Sequence, residues 1–520
     1  MPATKKKLLS ISNLKKYFPV GRASSLSKAQ VFVRANEDIT IDIYEGETLG
    51  LVGESGCGKS TFGRVLLQLY SQTAGSSMYY GRTLDELAPK YVGQTLKNAS
   101  KMVAKYYQAQ KKADEAVAAC EAAGESVSHE QNRAKDEAVF AAQNALNNTA
   151  KILGGFMVCD NVAEPAQVLF NEYAARVELA KFKNQKNQLQ VRCDDEKLTG
   201  KAIDNLKAKI EKLDAQIAAY ETKCAECAKL VEKEKEKYRN LPEFDKYEAM
   251  LDEGVDLSRL NYSEIRILRK DLQIIFQDPY SSLNPRMTVG QIIEEGLVTH
   301  DMFHKGSEAT KKYILEFMRK CGLQDYMLHR YPHQFSGGQR QRICIARSLA
   351  VQPKFVVCDE CVSALDVSIQ SQIINLLQEL KEQQKLTYLF ISHDLSVVKY
   401  ISDRIGVMYL GNIVELADKK DIFKDPRHPY TVALLSSIPT TDPDSATKER
   451  IILEGNIPSP IKPPTGCKFH TRCYMATEKC SRITPPLTEI EPNHFVACHY
   501  PECKLDENGN YLFEINKTSK

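Results

Sequence analysis

The chain has 520 residues, more than one hydrophobic core normally serves, so we expect two or three structural units. Its 70 Lys and Arg residues nearly balance 67 Asp and Glu residues, and a formal charge of +3 excludes a strongly basic surface for nucleic acid. The sequence shows neither a run of about 18 apolar residues nor a signal-peptide pattern, which predicts a cytosolic protein whose 15 cysteines stay reduced.

Predicted elements divide the chain into four segments. Residues 1–84 begin with β-rich sequence and end in a glycine-rich turn followed by a helix. Residues 85–256 are rich in Lys, Glu, Ala and Gln and predict helices, whereas residues 257–439 return to alternating strand and helix signals. Residues 440–520 are rich in Pro, Cys and His with little periodicity. The sequence therefore predicts an α/β protein with a helical insertion and a small cysteine-rich C-terminal appendage.

The 85–256 insertion carries the apolar seam of a coiled coil. Its seam residues alternate in steps of four and three: Leu206, Ile210, Leu213, Ile217, Tyr220, Cys224, Cys227 and Val231. Such a seam requires a partner helix. Gly, Asn and Pro residues between positions 147 and 168 favour a chain reversal there. We therefore expect one antiparallel helical hairpin that turns in this stretch.

A P-loop lies near the start of the chain, after the apolar strand TLGLVG and before a helix. Its residues are Gly53, Glu54, Ser55, Gly56, Cys57, Gly58, Lys59, Ser60 and Thr61. Small glycines let consecutive backbone N–H groups and the helix N-terminus surround a β-phosphate. Lys59 would neutralise β- and γ-phosphate oxygens, and Ser60 would coordinate Mg²⁺. The pattern in this context predicts ATP and Mg²⁺ as ligands.

Two adjacent carboxylates follow a second apolar strand, FVVC. Asp359 is placed to hold Mg²⁺, and Glu360 to polarise the attacking water as general base. With the P-loop, this pair indicates a P-loop NTPase, a class with many functions.

Further motifs narrow the class. They are Tyr17, Gln277, the run Ser336, Gly337, Gly338 and Gln339 about twenty residues before Asp359, then Asp366, and His393. In this order, and with the P-loop, they resemble the ABC ATPases. The resemblance implies an ABC-type fold for residues 1–84 and 257–439, and an ATPase in which Tyr17 stacks on adenine. Lys59, Gln277, Glu360 and His393 would then serve hydrolysis.

The same resemblance implies that two such subunits close head to tail around ATP. Ser336 and Gly338 of one subunit would face the γ-phosphate held by the other. Gln277 would sense Mg²⁺ and the attacking water, and His393 would contact the γ-phosphate.

Three segments sharpen the resemblance: FQDPYSSLNPRMTVGQII, DVSIQSQIINLL and DPRHPYTVALLSSIP look like the oligopeptide and dipeptide permease ATPases. The likeness covers residues 7–84 and 257–500 but not the insertion. It implies peptide import powered at the cytoplasmic face of the plasma membrane. The implied partners are two membrane permease subunits, a second and different ABC ATPase subunit and, indirectly, an extracytoplasmic peptide-binding protein.

The C-terminal cysteines match the same family in a GCxFHxRC, C and ACH arrangement. They are Cys467, Cys473, Cys480 and Cys498, and the resemblance implies a 4Fe–4S cluster on them. Their spacing alone leaves iron–sulfur, zinc and unligated thiols open. Cys503 lies outside the family spacing.

Three alternative functions remain open. An ABC-type head with a coiled-coil insertion resembles DNA-repair ATPases, but in those proteins the coil follows the Q-loop, whose glutamine corresponds to Gln277 here, and the paired cysteines lie at the tip of the coil. Here Gln277 follows the insertion, and Cys224 and Cys227 lie in the seam. A ribosome-acting ABC protein usually carries two copies of the signature motif, whereas this chain has one, at residues 336–339. An importer of another small solute, such as nickel, shares all these motifs.

Overall fold

The structure is a computed structural model that describes residues 5–22, 30–123, 129–193, 201–437 and 451–501. The chain divides into two compact units. The first comprises Met1–Ser77 with Ile265–Lys520, and the second is Met78–Glu264. These limits differ by several residues from the 85–256 segment expected from composition.

The strands are distributed over both units. In chain order they are β1 (Lys7–Arg22), β2 (Gln30–Tyr44), β3 (Thr48–Val52), β4 (Ala74–Tyr79), β5 (Val255–Asp256), β6 (Leu272–Ile275), β7 (Phe355–Asp359), β8 (Thr387–Ile391), β9 (Arg404–Tyr409), β10 (Asn412–Asp418), β11 (Thr488–Glu491) and β12 (His494–Val496).

The longest helices lie in the second unit. In chain order the helices are α1 (Lys59–Leu66), α2 (Leu84–Leu87), α3 (Lys90–Lys97), α4 (Ala99–Ala123), α5 (His129–Leu153), α6 (Ala163–Cys193), α7 (Lys201–Glu236), α8 (Phe244–Glu248), α9 (Tyr262–Leu268), α10 (Pro279–Ser282), α11 (Val289–Thr299), α12 (Glu308–Lys320), α13 (Gly337–Leu349), α14 (Val367–Gln384), α15 (Leu395–Ile401), α16 (Lys419–Lys424), α17 (Pro429–Ser436) and α18 (Glu478–Arg482).

The main sheet of the first unit has the strand order β11-β12-β10-β9-β3-β8-β7-β6. Strands β9, β3, β8, β7 and β6 run parallel, whereas β10 and β12 add antiparallel pairs at one side. Strands β3, β7 and β8 are buried at every residue, which explains their uninterrupted apolar sequence. Because these strands are parallel, the loops at their carboxyl ends meet at one edge, where α/β proteins place ligands.

The cysteine-rich region belongs to this sheet. Its strands β11 and β12 pair with each other, and β12 continues the sheet through Glu415 and Leu416 of β10. The region expected as a separate appendage is therefore part of the first unit. Residues 440–450 and 502–520 of that predicted segment, including Cys503, lie outside the described residues.

The second unit contains two helix pairs, α4 with α5 and α6 with α7. Contacts in the second pair show that its helices are antiparallel, because Lys183 bonds Glu221 at 2.9 Å and Lys186 bonds Asp214 at 2.6 Å. The prediction of a single hairpin turning at 147–168 is therefore wrong. Residues 154–158 of that stretch form a 3₁₀ turn between the two pairs, in which Phe156 is buried.

The predicted seam lies on the shielded face of α7. Leu213 and Val231 are buried, and the other six seam residues, Leu206, Ile210, Ile217, Tyr220, Cys224 and Cys227, are partly buried. Helix α6 supplies the partner, since the rings of Phe182 and Tyr220 pack edge to face with centroids 5.3 Å apart. The periodicity identified the buried face, but it did not specify which helix covers it.

Candidate nucleotide site

The P-loop joins β3 to α1 as the sequence pattern requires. Gly58 precedes the helix with φ of 102°, and a Cβ there would lie 2.1 Å from the carbonyl oxygen of Ala35, so only glycine fits. Lys59 is 5 % exposed, and its Nζ donates to the carbonyl oxygens of Gly53 at 2.6 Å and Glu54 at 3.1 Å. The lysine therefore spans the loop whose backbone N–H groups can bind phosphate.

Ser60 and Asp359 lie side by side. The Ser60 hydroxyl donates to Asp359 Oδ1 at 2.5 Å, and the Asp359 carboxylate is 2 % exposed. Arg64 on the same helix reaches Asp359 Oδ2 at 3.3 Å. A hydroxyl and a carboxylate are the oxygen ligands that Mg²⁺ prefers, so these residues fit a magnesium ion bound together with nucleotide phosphates.

The predicted general base, Glu360, lies at the centre of the predicted hydrolytic residues. Gln277 Nε2 donates to Glu360 Oε2 at 2.8 Å, and His393 Nδ1 lies 3.7 Å from Oε1. These three residues follow β6, β7 and β8, so the parallel sheet brings them to the same edge as the P-loop. A carboxylate positioned there can accept a proton from water.

The signature residues begin α13. Ser336 caps the helix by accepting from the backbone N–H of Gln339, whose side chain bonds back to the Ser336 amide. A Cβ on Gly338 would lie 2.6 Å from Cγ2 of Ile369 on α14, so the close packing of α13 and α14 requires glycine. Asp366 caps α14 through the N–H of Ile369 at 3.0 Å. In the described part of the chain, these capping contacts are local and do not involve the P-loop.

Tyr17 lies on β1 and is partly buried. Its hydroxyl donates to Glu37 Oε1 at 2.8 Å, and burial followed by the Glu37 charge raises the tyrosine pKa well above its usual value. Burial alone would raise the pKa of Glu37, but Lys468 at 2.8 Å and Arg34 at 3.2 Å lower it instead. The phenol therefore stays neutral with its ring position fixed.

Two partners of the P-loop come from the C-terminal part of the chain. Arg472 donates to both carboxylate oxygens of Glu54, at 2.7 and 3.1 Å, and the Glu54 amide donates to the hydroxyl of Tyr430 at 2.9 Å. Sequence reasoning identified Tyr430 and Arg472 only as parts of family segments. Their partner lies more than 370 positions away, and no local pattern indicates such a contact.

The four predicted cysteine ligands line one cavity. Cys467, Cys473, Cys480 and Cys498 surround it together with His428, His470 and His499. Burial, followed by the neighbouring thiols, raises the pKa of Cys473 to about 12, and burial raises that of Cys498 to about 11. Across the described ranges, no three His, Cys, Asp or Glu side chains are arranged to hold a single metal ion. The thiols share a cavity without closing on one point.

The chain matches two protein families. Residues 36–191 and 242–363 match the ABC transporter family, and residues 414–480 match the oligopeptide/dipeptide transporter C-terminal region.

The similar curated proteins are named as ATP-binding proteins of peptide transport. The oligopeptide transport ATP-binding protein AppF of Bacillus subtilis is 52 % identical over 252 residues, which are 48 % of this chain and 76 % of AppF. The oligopeptide transport ATP-binding protein OppF of Haemophilus influenzae is 50 % identical over 246 residues, 47 % of this chain and 74 % of OppF. A solved dimeric bacterial ABC transporter cassette is 16 % identical, with a TM-score of 0.41, and the match covers 79 % of this chain and 99 % of the cassette. From the family match and the curated relatives, the chain belongs to the ABC transporter family and is one of its ATP-binding, ATP-hydrolysing subunits.

Proposed function

We propose that this chain powers the import of oligopeptides and dipeptides through two partner membrane permeases. The observation that carries the substrate class is the match of residues 414–480 to the oligopeptide/dipeptide transporter C-terminal region. The same region has a structural role, because Tyr430 of its HPYT segment bonds the P-loop. The names of the similar ATP-binding proteins, which include oligopeptide transport and peptide import, agree with this assignment.

Hydrolysis follows from the residues around Glu360. Lys59 and the start of α1 hold the phosphates, and Ser60 and Asp359 would hold Mg²⁺, which would supply positive charge against the β- and γ-phosphates. Water attacks the γ-phosphorus, its proton passes to Glu360, and the bond to the ADP oxygen breaks, which releases phosphate. Gln277, hydrogen-bonded to Glu360 at 2.8 Å, orients the base, and His393 contacts the γ-phosphate.

The signature residues act on a second subunit. In their own chain, Ser336 and Gly338 make local contacts at the start of α13. A head-to-tail pair would place the N-terminus of α13 against the γ-phosphate bound to the partner ATPase, where N–H and hydroxyl donors stabilise developing charge. Asp366 would lie at the same junction. Each ATP is then enclosed only in the closed pair, which couples hydrolysis to closure.

The proposed assembly places this chain on the cytoplasmic face of the plasma membrane. Its partners are two permeases, a second ABC ATPase subunit and, indirectly, a peptide-binding protein outside the membrane. Among the described residues no helix combines the length and the apolar character that a membrane span requires. With a formal charge of +3, the chain has no general electrostatic attraction for nucleic acid.

We further propose that Cys467, Cys473, Cys480 and Cys498 bind a 4Fe–4S cluster. Four thiols around one cavity supply the Cys₄ donor set of such a cluster. A mononuclear zinc site would need the sulfurs to converge on one point about 2.3 Å from each. The cluster would add folding energy in a segment with few apolar residues.

Metal analysis after anaerobic purification tests this cluster. We expect about four irons per chain with matching sulfide. One zinc per chain would identify the other metal, and a well-folded chain without either metal would refute the site.

Uptake measurements test the transported solute. Cells lacking this chain should lose ATP-dependent uptake of labelled dipeptides and oligopeptides and keep nickel uptake, and the wild-type chain should restore the loss. Intact peptide uptake with lost nickel uptake would contradict the proposal. Affinity purification of the complex through a tag on this chain provides a second check, because permeases should co-purify rather than DNA or ribosomes.

A further inference from the structure

The loop from Cys467 to Cys473, here called the brace loop, connects the cysteine cavity to the ATP site. Both terminal cysteines line the cavity. Phe469 between them is 1 % exposed and packs against Tyr409 and Tyr430, with ring centroids 5.2 and 5.3 Å away. The loop is therefore anchored at its ends and by its central aromatic side chain.

Arg472 holds the first half of the P-loop. Its side chain is 6 % exposed and forms a two-pronged ion pair with Glu54. Such a fork fixes both the position and the orientation of a carboxylate. It also neutralises a negative charge inside a loop that must bind a triphosphate. Without Arg472, Glu54 would repel the nucleotide.

Lys468 holds the second half of the P-loop through one intermediate turn. Its Nζ donates to the carbonyl oxygen of Leu410 at 2.9 Å and pairs with Glu37 at 2.8 Å. Gly411 follows Leu410 in the chain, and its backbone amide donates to the carbonyl oxygen of Cys57 at 2.9 Å. The carbonyl oxygen of Gly411 in turn accepts from the backbone amide of Glu37 at 2.8 Å. Lys468 thus fixes the turn that contacts Cys57.

We propose that Lys468 and Arg472 are positioning residues for ATP, which hold the P-loop at Cys57 and Glu54 and so preorganise its phosphate-binding amides. A phosphate loop held in its binding geometry loses less conformational entropy when the nucleotide arrives. Neither residue touches the reacting atoms, so the expected effect is on nucleotide affinity and much less on the chemical step. The inference concerns the ATP site and does not depend on which solute is transported.

Nucleotide affinity of the full-length chain tests the proposal. Binding of a non-hydrolysable ATP analogue with Mg²⁺ is measured by calorimetry, and KM and kcat for ATP are measured in the assembled transporter. We expect R472A to raise Kd and KM about tenfold, as loss of a charged hydrogen-bond pair implies, with kcat changed less than twofold. R472K keeps the charge without the fork and should raise Kd about threefold. K468M should raise Kd about fivefold.

Two further variants separate positioning from general destabilisation. R482A removes a surface arginine that pairs with Glu478 in the same region and is 74 % exposed, so its Kd should equal that of the wild type. The double variant E54Q/R472A lacks the carboxylate that R472A leaves unpaired. Its log Kd should therefore return at least halfway from the R472A value to the wild-type value. Thermal unfolding without nucleotide verifies that each variant folds. If R472A does not fold, R472K, which retains the positive charge, serves as the test variant.

Three results would overturn the proposal. They are a Kd for folded R472A or R472K within a factor of two of the wild type, a lower kcat with unchanged KM, or E54Q/R472A binding as weakly as R472A.

Discussion

Glu360 carries its carboxylate on a backbone with φ of 48°, a conformation that few residues other than glycine adopt. The Glu360 amide donates to Ile391 at 3.0 Å, and the Ser363 hydroxyl donates to the Glu360 carbonyl at 2.9 Å. These two bonds hold the residue in a conformation that costs about 1–3 kcal/mol. The acidic pair after an apolar strand predicts Glu360 as the general base, but it contains no information about this turn or about the bond to Gln277.

His428 shows a buried polar residue at the start of the HPYT segment. It is 1 % exposed, and its Nδ1 accepts from the Tyr430 amide as the cap of α17. Glu415 accepts from the His428 amide at 3.0 Å. Burial lowers the pKa of His428 to about 4, and the Glu415 charge opposes this only in part. The imidazole is therefore neutral near pH 7.

Acid should destabilise the first unit through His428. In the unfolded chain a histidine pKa is about 6.5, so between pH 6.5 and 4 the unfolded state binds more protons than the folded state. The free energy of unfolding should therefore fall as pH drops through this window, by up to about 3 kcal/mol. H428N keeps a capping side chain without a titrating group, and its urea-unfolding free energy should depend less on pH. Identical slopes for both proteins would contradict this account.

At the scale of elements, local periodicity indicates individual helices, but it does not indicate which distant elements pair with one another. Helices α12 and α14 lie in the 257–439 segment of alternating strand and helix signals, because apolar spacing and capping residues are encoded within each helix. The partner of the α7 seam was assigned wrongly, since a seam is equally compatible with any parallel or antiparallel neighbour. Likewise, β12 joins β10 across some 80 residues of sequence, a pairing that no short pattern indicates.

The helix pair α6–α7 should be separable from ATP binding. The described contacts of its distal part, such as Lys186 with Asp214 and Phe182 with Tyr220, lie within the pair itself, whereas Arg176 nearer its other end pairs with Asp85 at 2.9 Å. Replacing residues 181–223 by a short Gly/Ser turn should therefore leave a folded chain with a Kd for ATP within a factor of two of the wild type. Circular dichroism should show the lost helix. An insoluble product, or one that no longer binds nucleotide, would show that this pair is required by the ATPase.

At the scale of the whole molecule, the sheet explains why motifs spread over more than 300 residues act together. Lys59, Gln277 and His393 each follow a strand of the parallel sheet and Asp359 ends one, and parallel strands end at one edge. The order of the motifs along the chain carried the resemblance to the ABC ATPases, whereas their common edge follows from the sheet. The brace loop was not predictable, because Arg472 and Lys468 reach the same edge from the far end of the chain, through contacts that depend on the complete fold.

ATP turnover by E360Q tests the central claim most directly. The transporter is purified through a tag on this chain, with the corresponding change in both ATPase subunits, and nucleotide binding and phosphate release are measured. Glutamine keeps the shape of Glu360 but cannot act as a base. We therefore predict ATP binding within a factor of about three of the wild type, a stable closed pair, and phosphate release slower by a factor of about 100 or more. Phosphate release at the wild-type rate would contradict the assignment of Glu360 and the hydrolytic site built around it.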